Sequence, residues 1–319
     1  MKERFGRKVL VTGAAGFIGS HLAERLRSMG LEVAGIDNFV NGYEENLAAL
    51  KGDHGFNLTR GDILNPKDLS KACEGVDSVI HMAAQPSVAK SAENPMKDFE
   101  VNAAGTLNLL ECARKGDVRT VLLASSSTVY GESKLPTPEE HPLRPISNYG
   151  ASKAAAEAYC SSYHSLYRLK TASLRFFNIY GPRSRKGVMF DLLKKLREDR
   201  KKLEVLGTGD QEKDYLYIND AVDATLLVAE KGKLAGEAYN IGSGKAYTLK
   251  ELTQLLLNIL GLSGKTKILY KGGFSWPGDV QKTRADISKL RGLGFNPKVE
   301  LDQGMRAFVN WYVSEYGNV

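Results

Sequence analysis

The stretch that most limits the fold runs from Lys8 to Asp37. Lys8-Val9-Leu10-Val11-Thr12 is a short apolar run bounded by glycines, and it predicts a buried strand. Gly13-Ala14-Ala15-Gly16-Phe17-Ile18-Gly19 follows, then a helical pattern from Ser20 to Met29. After Gly30 a second strand, Glu32 to Ile36, ends in Asp37. Strand, glycine turn, helix, strand and acid in this order predict a βαβ unit with its glycines at the first turn. Glycines there let the backbone come close to a pyrophosphate, while the helix N-terminus offers N–H donors and a positive dipole end. Asp37 suits both ribose hydroxyls of NAD, and its charge repels the 2′-phosphate of NADP. The spacing is Gly-x-x-Gly-x-x-Gly rather than Gly-x-Gly-x-x-Gly, so the order of elements carries the argument more than the trio does.

The alternation continues. Gly61-Asp62-Ile63 follows an expected strand at Phe56 to Thr59 and places an acid where an adenine amine can meet it. Val76 to His81 leads into Met82-Ala83-Ala84, small residues that let a cofactor approach the backbone. His81, alone among apolar residues, reads as a buried structural side chain. A helix from about Pro95 to Lys115 carries Asn102. Another strand, Thr120 to Ala124, ends in Ser125-Ser126-Ser127-Thr128-Val129-Tyr130-Gly131. The fold class expected is α/β, a Rossmann-type doubly wound parallel sheet.

Further on, Tyr149-Gly150-Ala151-Ser152-Lys153 opens a helix. Residues four apart on a helix share a face. An ammonium beside a phenol favours the phenolate, lowering a Tyr pKa that ordinarily sits near ~10. Such a Tyr can serve as general base and acid. The spacing alone also fits an exposed helix pair, so its meaning depends on the cofactor site.

Composition sets outer limits. The 319 residues are 42% hydrophobic and 25% charged, with a formal charge of +7. No nucleic-acid-binding signature accompanies that mild basic excess. Cys73, Cys112 and Cys160 match no metal spacing and read as free thiols in a reducing compartment; no metal is expected. The first eight residues lack an apolar signal core, and no apolar run reaches the ~18 residues of a membrane span. A cytoplasmic protein is expected.

As a set, Thr-Gly-x-x-Gly-x-x-Gly, Asp37-Asn38, Asp62-Ile63, the Ser-rich strand end before Val129-Tyr130-Gly131, and Tyr149-x-x-x-Lys153 resemble the extended short-chain dehydrogenase/reductases. The resemblance is greatest to the UDP-glucose 4-epimerase-like nucleotide-sugar epimerases. It covers essentially the whole chain, through Leu174-Arg175-Phe176-Phe177-Asn178, Gly181-Pro182-Arg183, Asp214-Tyr215, Tyr239-Asn240-Ile241-Gly242 and Pro277-Gly278-Asp279. It implies residues 1–174, with 214–242 returning, as an NAD-binding domain, and 175–213 with 243–319 as a smaller mixed α/β domain for a nucleotide sugar. It implies Ser126, Tyr149 and Lys153 as catalytic groups. For NAD it implies Gly13, Gly16, Phe17, Ile18, Gly19, Asp37, Asn38, Asp62, Ile63, Met82, Ala83, Ala84, Asn102, Ser125, Tyr149, Lys153 and Phe176. For the UDP-sugar it implies Ser87, Ser126, Tyr149, Asn178, Val188, Glu204, Leu206, Lys213, Asp279 and Thr283. A homodimer through a four-helix bundle is implied as well.

Within that resemblance the activity expected is NAD-dependent isomerisation in carbohydrate metabolism, a 4-epimerisation of UDP-glucose/UDP-galactose through a 4-keto sugar. Family dehydratases carry Asp-Glu after the active-site hydroxyl, and decarboxylases carry a Glu close by. Here Ser127 and Thr128 stand there. UDP-glucuronate 4-epimerisation, another nucleotide-sugar epimerase or reductase, and a non-catalytic NAD-binding protein stay open. Three positions bear on the substrate. Lys213 replaces a phosphate-gripping Arg and loses its bidentate fork. Trp276 replaces a second Arg, with Arg183, Arg185, Lys186 and Lys282 as alternative cations. Thr283 stands where relatives limited to non-acetylated sugars carry Tyr, which leaves room for the 2-acetamido group of UDP-GlcNAc/UDP-GalNAc.

Overall fold

The computed structural model describes residues 2–273 and 278–319; the expectation about Trp276 lies outside them. The first six strands are β1 (Lys8–Thr12), β2 (Glu32–Asp37), β3 (Phe56–Arg60), β4 (Ser78–His81), β5 (Thr120–Ser126) and β6 (Lys170–Phe176). The remaining ones are β7 (Asn178–Tyr180), β8 (Lys202–Val205), β9 (Glu212–Tyr217), β10 (Ala235–Ile241), β11 (Ala246–Thr248) and β12 (Lys267–Tyr270). Seven of these form one parallel sheet in the order β10-β6-β5-β4-β1-β2-β3. Helices cover both faces, and two apolar clusters lie against them, one around Val9, Val11 and Leu22, the other around Leu10, Val79 and Leu109. Successive β1 side chains therefore feed opposite cores, as strands buried on both faces must.

The chain steps outward from β1 to β2 and β3, then returns to lay β4 on the other side of β1. That reversal opens a crevice beyond the carboxyl ends of β1 and β4, where ligands bind in open α/β sheets.

The expected split after residue 174 falls inside β6, which runs on to Phe176. The expected return at Asp214 is also displaced. β9 pairs with β7 and β11 in a separate three-stranded sheet, and the chain rejoins the large sheet only at β10. The cause is β7, which leaves the large sheet immediately after β6 and takes β9 with it. Cys73 and Cys112, far apart in sequence, share a thiol–thiol hydrogen bond.

The Asn148–Tyr167 helix does most to build the centre of the molecule. The Ser147 hydroxyl caps it by accepting from the Gly150 N–H at 3.1 Å, and Arg168 ends it in the left-handed conformation. It packs on β5, β6 and β10. The face it buries contains Ser152, Lys153 and Glu157 as well as Ala156 and Cys160. Polar groups on a buried face need partners. Glu157 pairs with Arg175 of β6 at 2.7 Å, with about 8% and 7% of each side chain exposed. Arg175 also donates to the Tyr130 hydroxyl at 2.9 Å, which donates to Asn240 Oδ1 of β10 at 2.7 Å. Ser125 Oγ donates to Glu157 Oε1 at 2.5 Å. The network joins the helix to three strands. Removing one partner of a buried ion pair strands the other charge. Arg175→Met is expected to cost about 3–5 kcal/mol, read as a lower urea midpoint at unchanged slope; a midpoint within error of the parent would mean the pair contributes nothing.

Candidate active site

The crevice is a cavity of about 740 Å³. One wall is the first glycine turn. Gly13 has φ +67°, and a Cβ there would lie 2.8 Å from the Ala83 nitrogen. A Cβ on Gly19 would lie 2.1 Å from the Gly13 oxygen. These glycines thus hold the turn against the segment after β4 as well as leaving room for a ligand. The Phe17–Ser28 helix begins at Gly16 with no side-chain cap, so its first N–H groups face the cavity.

Asp37 ends β2 with its carboxylate fixed from both sides: Oδ2 accepts from the Ala15 N–H at 2.9 Å and Oδ1 from the Phe39 N–H at 2.7 Å. Burial pushes its carboxyl upward, opposed by those two N–H groups. Asn38 donates to Asp62 at 2.9 Å, closing the far end beside Ile63. Gly13, Gly16, Phe17, Ile18, Gly19, Asp37, Asn38, Asp62, Ile63, Met82, Ala83, Ala84, Ser125, Ser126, Tyr149, Lys153 and Phe176 all line this one cavity. A fixed acid at the ribose position, close backbone and free N–H groups at the phosphate position fit NAD.

His81 is buried between Thr12 Oγ1 (2.7 Å) and Thr106 Oγ1 (3.2 Å), and burial, with the Lys153 charge, brings it down to about 3. It is neutral and serves packing: Thr12 Oγ1 in turn accepts from the Ala83 N–H at 3.0 Å.

At the inner end the Tyr149 phenol and Ser126 line the same wall of the cavity. Ser126 Oγ accepts from the N–H and hydroxyl of Thr128 at 3.2 and 3.0 Å. Lys153 Nζ donates to the Ala124 carbonyl at 2.9 Å and lies 6.0 Å from the Tyr149 ring centroid. The expectation that Lys153 lowers the Tyr149 pKa is not met in the protein alone. Burial raises Tyr149 to about 12, with the Ser126 hydroxyl opposing, and burial lowers Lys153 to about 8. Desolvation outweighs the ammonium because Lys153 is directed to a backbone carbonyl rather than to the phenol.

Other expected residues lie elsewhere. Asn102 sits behind the cavity wall in a π-helical turn, Glu100–Ala104. Its Oδ1 accepts from the Gln85 N–H at 2.8 Å, and its amide donates to Ser152 at 3.1 Å. Ser87 caps the Val88–Glu93 helix. Asn178 donates to the Asp214 carbonyl at 3.1 Å. Val188 begins the Val188–Glu198 helix just past Gly187, the last wall residue on that side. The carbonyl of Glu204 is taken by Lys195 Nζ at 2.8 Å and that of Leu206 by Gln211 Nε2 at 3.1 Å. Neither residue reaches the cavity. Lys213 is committed to Asp279 at 2.8 Å and to the Val280 carbonyl. Its charge is thereby neutralised, contrary to the expectation of a free phosphate grip. Thr283 has its N–H on the Glu212 carbonyl at 2.8 Å and a buried hydroxyl without a partner among the described residues.

Of the substitute cations, Arg183, Arg185 and Lys186 line the cavity and Lys282 does not. Arg183 pairs with Glu24 at 2.7 Å and Arg185 with Glu315 at 2.8 Å. Lys186 bonds only the neutral Asn41, at 2.5 Å. Burial and the nearby Lys90, another cavity residue, lower its pKa. Neither Lys90 nor Lys186 shows a carboxylate partner among the described residues. Sequence reasoning missed Lys90, Gln85 and Glu157. Glu157 was findable, since it extends the Tyr149–Lys153 spacing by another four residues on the same helix.

The model of the NAD-dependent epimerase/dehydratase family matches residues 9–242. The chain belongs to this family. Among solved structures, it is 34% identical to the Thermotoga maritima UDP-glucose 4-epimerase with UDP-glucose, covering 97% of this chain and 99% of that one at a TM-score of 0.89. It is 34% identical to a Bacillus cereus UDP-glucuronic acid 4-epimerase solved with NAD and a fluorinated UDP-glucuronic acid, covering 97% and 100%, TM-score 0.89. It is 30% identical to a Methanobrevibacter ruminantium UDP-N-acetylglucosamine 4-epimerase in complex with UDP-N-acetylmuramic acid, covering 97% and 99%, TM-score 0.88. NAD is the cofactor, and these three relatives are nucleotide-sugar 4-epimerases, while dTDP-glucose 4,6-dehydratase structures match at 31% and 32% identity and a TM-score of 0.89.

Lys153 gives the site a stability signature. Its folded pKa, about 8, lies below the ordinary lysine value of 10.5. Below pH 8 the folded protein bears the cost of a buried ammonium. Between pH 8 and 10.5 the unfolded chain binds the proton that the folded one has released, so stability rises with pH. Tyr149, raised to about 12, acts in the opposite direction only above pH 10. In NAD-free protein, Lys153→Met is therefore expected to raise the thermal midpoint at pH 7, with the difference from the parent shrinking above pH 8. A difference constant from pH 7 to 10 would contradict this.

Proposed function

We propose that the protein interconverts the C4 epimers of a UDP-hexose, with UDP-glucose and UDP-galactose as the first pair, and retains NAD throughout the cycle. The observation that carries this reading is the meeting of Ser126, Tyr149 and Lys153 at the inner end of the cavity that also holds Asp37 and the glycine turn. When bound, NAD supplies the hydride acceptor, and then the donor, at the sugar C4. Tyr149 takes the proton of the 4-hydroxyl and later returns it. Ser126, in the same cavity wall, steadies the same oxygen. Lys153, with its ammonium turned to the Ala124 carbonyl in the protein alone, holds the nicotinamide ribose and stabilises the phenolate once the cofactor is in place. Ser127 and Thr128 offer no acid for elimination or decarboxylation.

Lys90 and Lys186 support an anionic substrate, and they motivate a second reading. An ammonium pair without carboxylate partners suits the diphosphate of any UDP-sugar, and equally the carboxylate of UDP-glucuronate. We also propose that residues 175–213 and 243–319 bind the nucleotide sugar, with Ser87, Asn178, Val188, Glu204, Leu206, Lys213, Asp279 and Thr283 as its contacts beyond the cavity wall.

A homodimer is proposed from the exposed apolar side chains on two neighbouring helical segments. Met96 is 65% exposed, Phe99 52%, Tyr159 40% and Leu166 68%, and the segments bearing them pack together. A four-helix bundle with a second copy would cover them. Sedimentation at micromolar concentration should give twice the chain mass; a monomer would discard the bundle.

Incubation with UDP-, dTDP- and GDP-sugars, with products read by NMR, tests the activity directly. Tyr149→Phe is expected to reduce turnover by about 10²–10⁴, and near-parental rates would discard the mechanism. In the same panel Thr283→Tyr should suppress UDP-GlcNAc and UDP-GalNAc selectively; equal effects on acetylated and non-acetylated sugars would refute the size argument.

A further inference from the structure

Behind the loop that follows β4 lies a buried carboxylate that no step above uses. Asp98 is 1% exposed and sits at the end of the Pro95–Phe99 helix, next to the π-helical turn. Its Oδ2 accepts from Ser152 Oγ at 2.6 Å. Its Oδ1 accepts from Gln85 Nε2 at 2.8 Å and Asn102 Nδ2 at 3.1 Å.

Each donor reports to a different part of the site. Ser152 precedes Lys153, and its hydroxyl also contacts the Tyr149 carbonyl at 3.0 Å. The Gln85 side chain grips Ser87 from both sides, donating to its carbonyl at 2.9 Å and accepting from its N–H at 2.7 Å. Asn102 holds the Gln85 backbone, accepting from its N–H and donating to its carbonyl at 3.1 Å. One carboxylate thus joins the loop lining the cavity, the π-helical turn and the catalytic turn of the Asn148–Tyr167 helix.

The charges around it are few. The helix bearing Tyr149 presents that phenol, whose pKa the Asp98 charge helps burial to raise, then Lys153 and, one turn on, Glu157. β4 presents His81, which is neutral. The Val88–Glu93 helix bears Lys90 and Glu93 at the cavity wall, and Lys97 pairs with Glu100 at 3.7 Å on the outer side. Lys153 is the buried cation in this set, 2% exposed. Burial drives it toward the neutral form, and Asp98 is the strongest influence opposing that, ahead of Glu157. A buried carboxylate is costly unless it is hydrogen-bonded and balanced; burial raises the Asp98 pKa, and the Ser152 and Gln85 hydrogen bonds and the Lys153 charge oppose that without cancelling it.

We propose that Asp98 is a positioning residue for the reaction: it locks the Gln85–Ser87 loop to the catalytic turn and supplies the negative charge beside which the Lys153 ammonium is held. The proposal rests on the epimerase reading for its effect on turnover, while its effect on Lys153 is readable without any activity.

The test is Asp98→Asn, followed two ways. In NAD-free protein, the rise of thermal midpoint with pH that begins near pH 8 should begin about one pH unit lower, as expected when a nearby opposite charge is lost. In the holoenzyme the alkaline limb of kcat should move in the same direction. A fall in midpoint with both pH features unmoved would reduce Asp98 to packing and overturn the proposal. Loss of kcat in the parent enzyme would refute the epimerase reading alone, because the midpoint step would still decide Asp98. Should Asp98→Asn not fold, Ser152→Ala and Asp98→Glu retain the charge. Both are expected to lower kcat about tenfold or more with the midpoint step in place. Parental kcat in Ser152→Ala, or a step displaced in both variants, overturns the proposal.

Discussion

A buried ammonium is the constraint around which the catalytic half is arranged. Lys153 lies on the sheet-facing side of a 20-residue helix, where an apolar residue would be cheaper. Holding it there requires an acceptor at the end of β5, which Ala124 provides, and acids nearby, which Asp98 on a neighbouring helix and Glu157 one turn further along the same helix provide. Glu157 in turn requires Arg175, and Arg175 requires Tyr130 and through it Asn240. The polar chain therefore reaches from the catalytic turn to the edge strand of the sheet. It fixes how the helix sits on β5, β6 and β10, and with that the position of Tyr149 relative to Ser126.

This arrangement has an electrostatic consequence. In the protein alone the phenol is raised and the ammonium lowered, both by burial, so each is nearer its neutral form than in water. Catalysis by a phenolate–ammonium couple requires the opposite. Bound NAD would bring a positive charge and hydroxyl groups into this cavity, and Tyr149 and Lys153 would be the residues whose charged forms these favour. A site that becomes competent only with its cofactor is consistent with one that retains that cofactor from cycle to cycle.

The nucleotide half was legible in the sequence because its chemistry is local. Glycines, strand and acid lie within the thirty residues from Lys8 to Asp37, and backbone geometry does the binding, so the pattern and the structure coincide. Ser126, Tyr149 and Lys153 were legible through helical spacing and resemblance. Asp98 and Gln85 were not, since their function comes from contacts across 13 to 54 positions of sequence that no periodicity records. Lys213 shows the converse failure. A cation at a motif position reads as a phosphate grip until its neighbour is seen, and here Asp279 is that neighbour. Which sheet β9 joins was likewise hidden, because that is decided by β7 and not by its own residues.

The pairing of Lys213 with Asp279 moves the question of substrate to the other side of the cavity. A diphosphate brought into a low-dielectric cleft needs cations whose charge is not already balanced. Arg183 and Arg185 are in the wall but each faces a glutamate. Lys186 and Lys90 line the same cavity, and burial, with the Lys90 charge second, lowers the Lys186 pKa. Lys90 and Lys186 are cavity cations that show no carboxylate partner among the described residues, whereas Lys213 is paired with Asp279. Because a point-charge ammonium lacks the fork of an arginine, it grips an anion with less geometric demand.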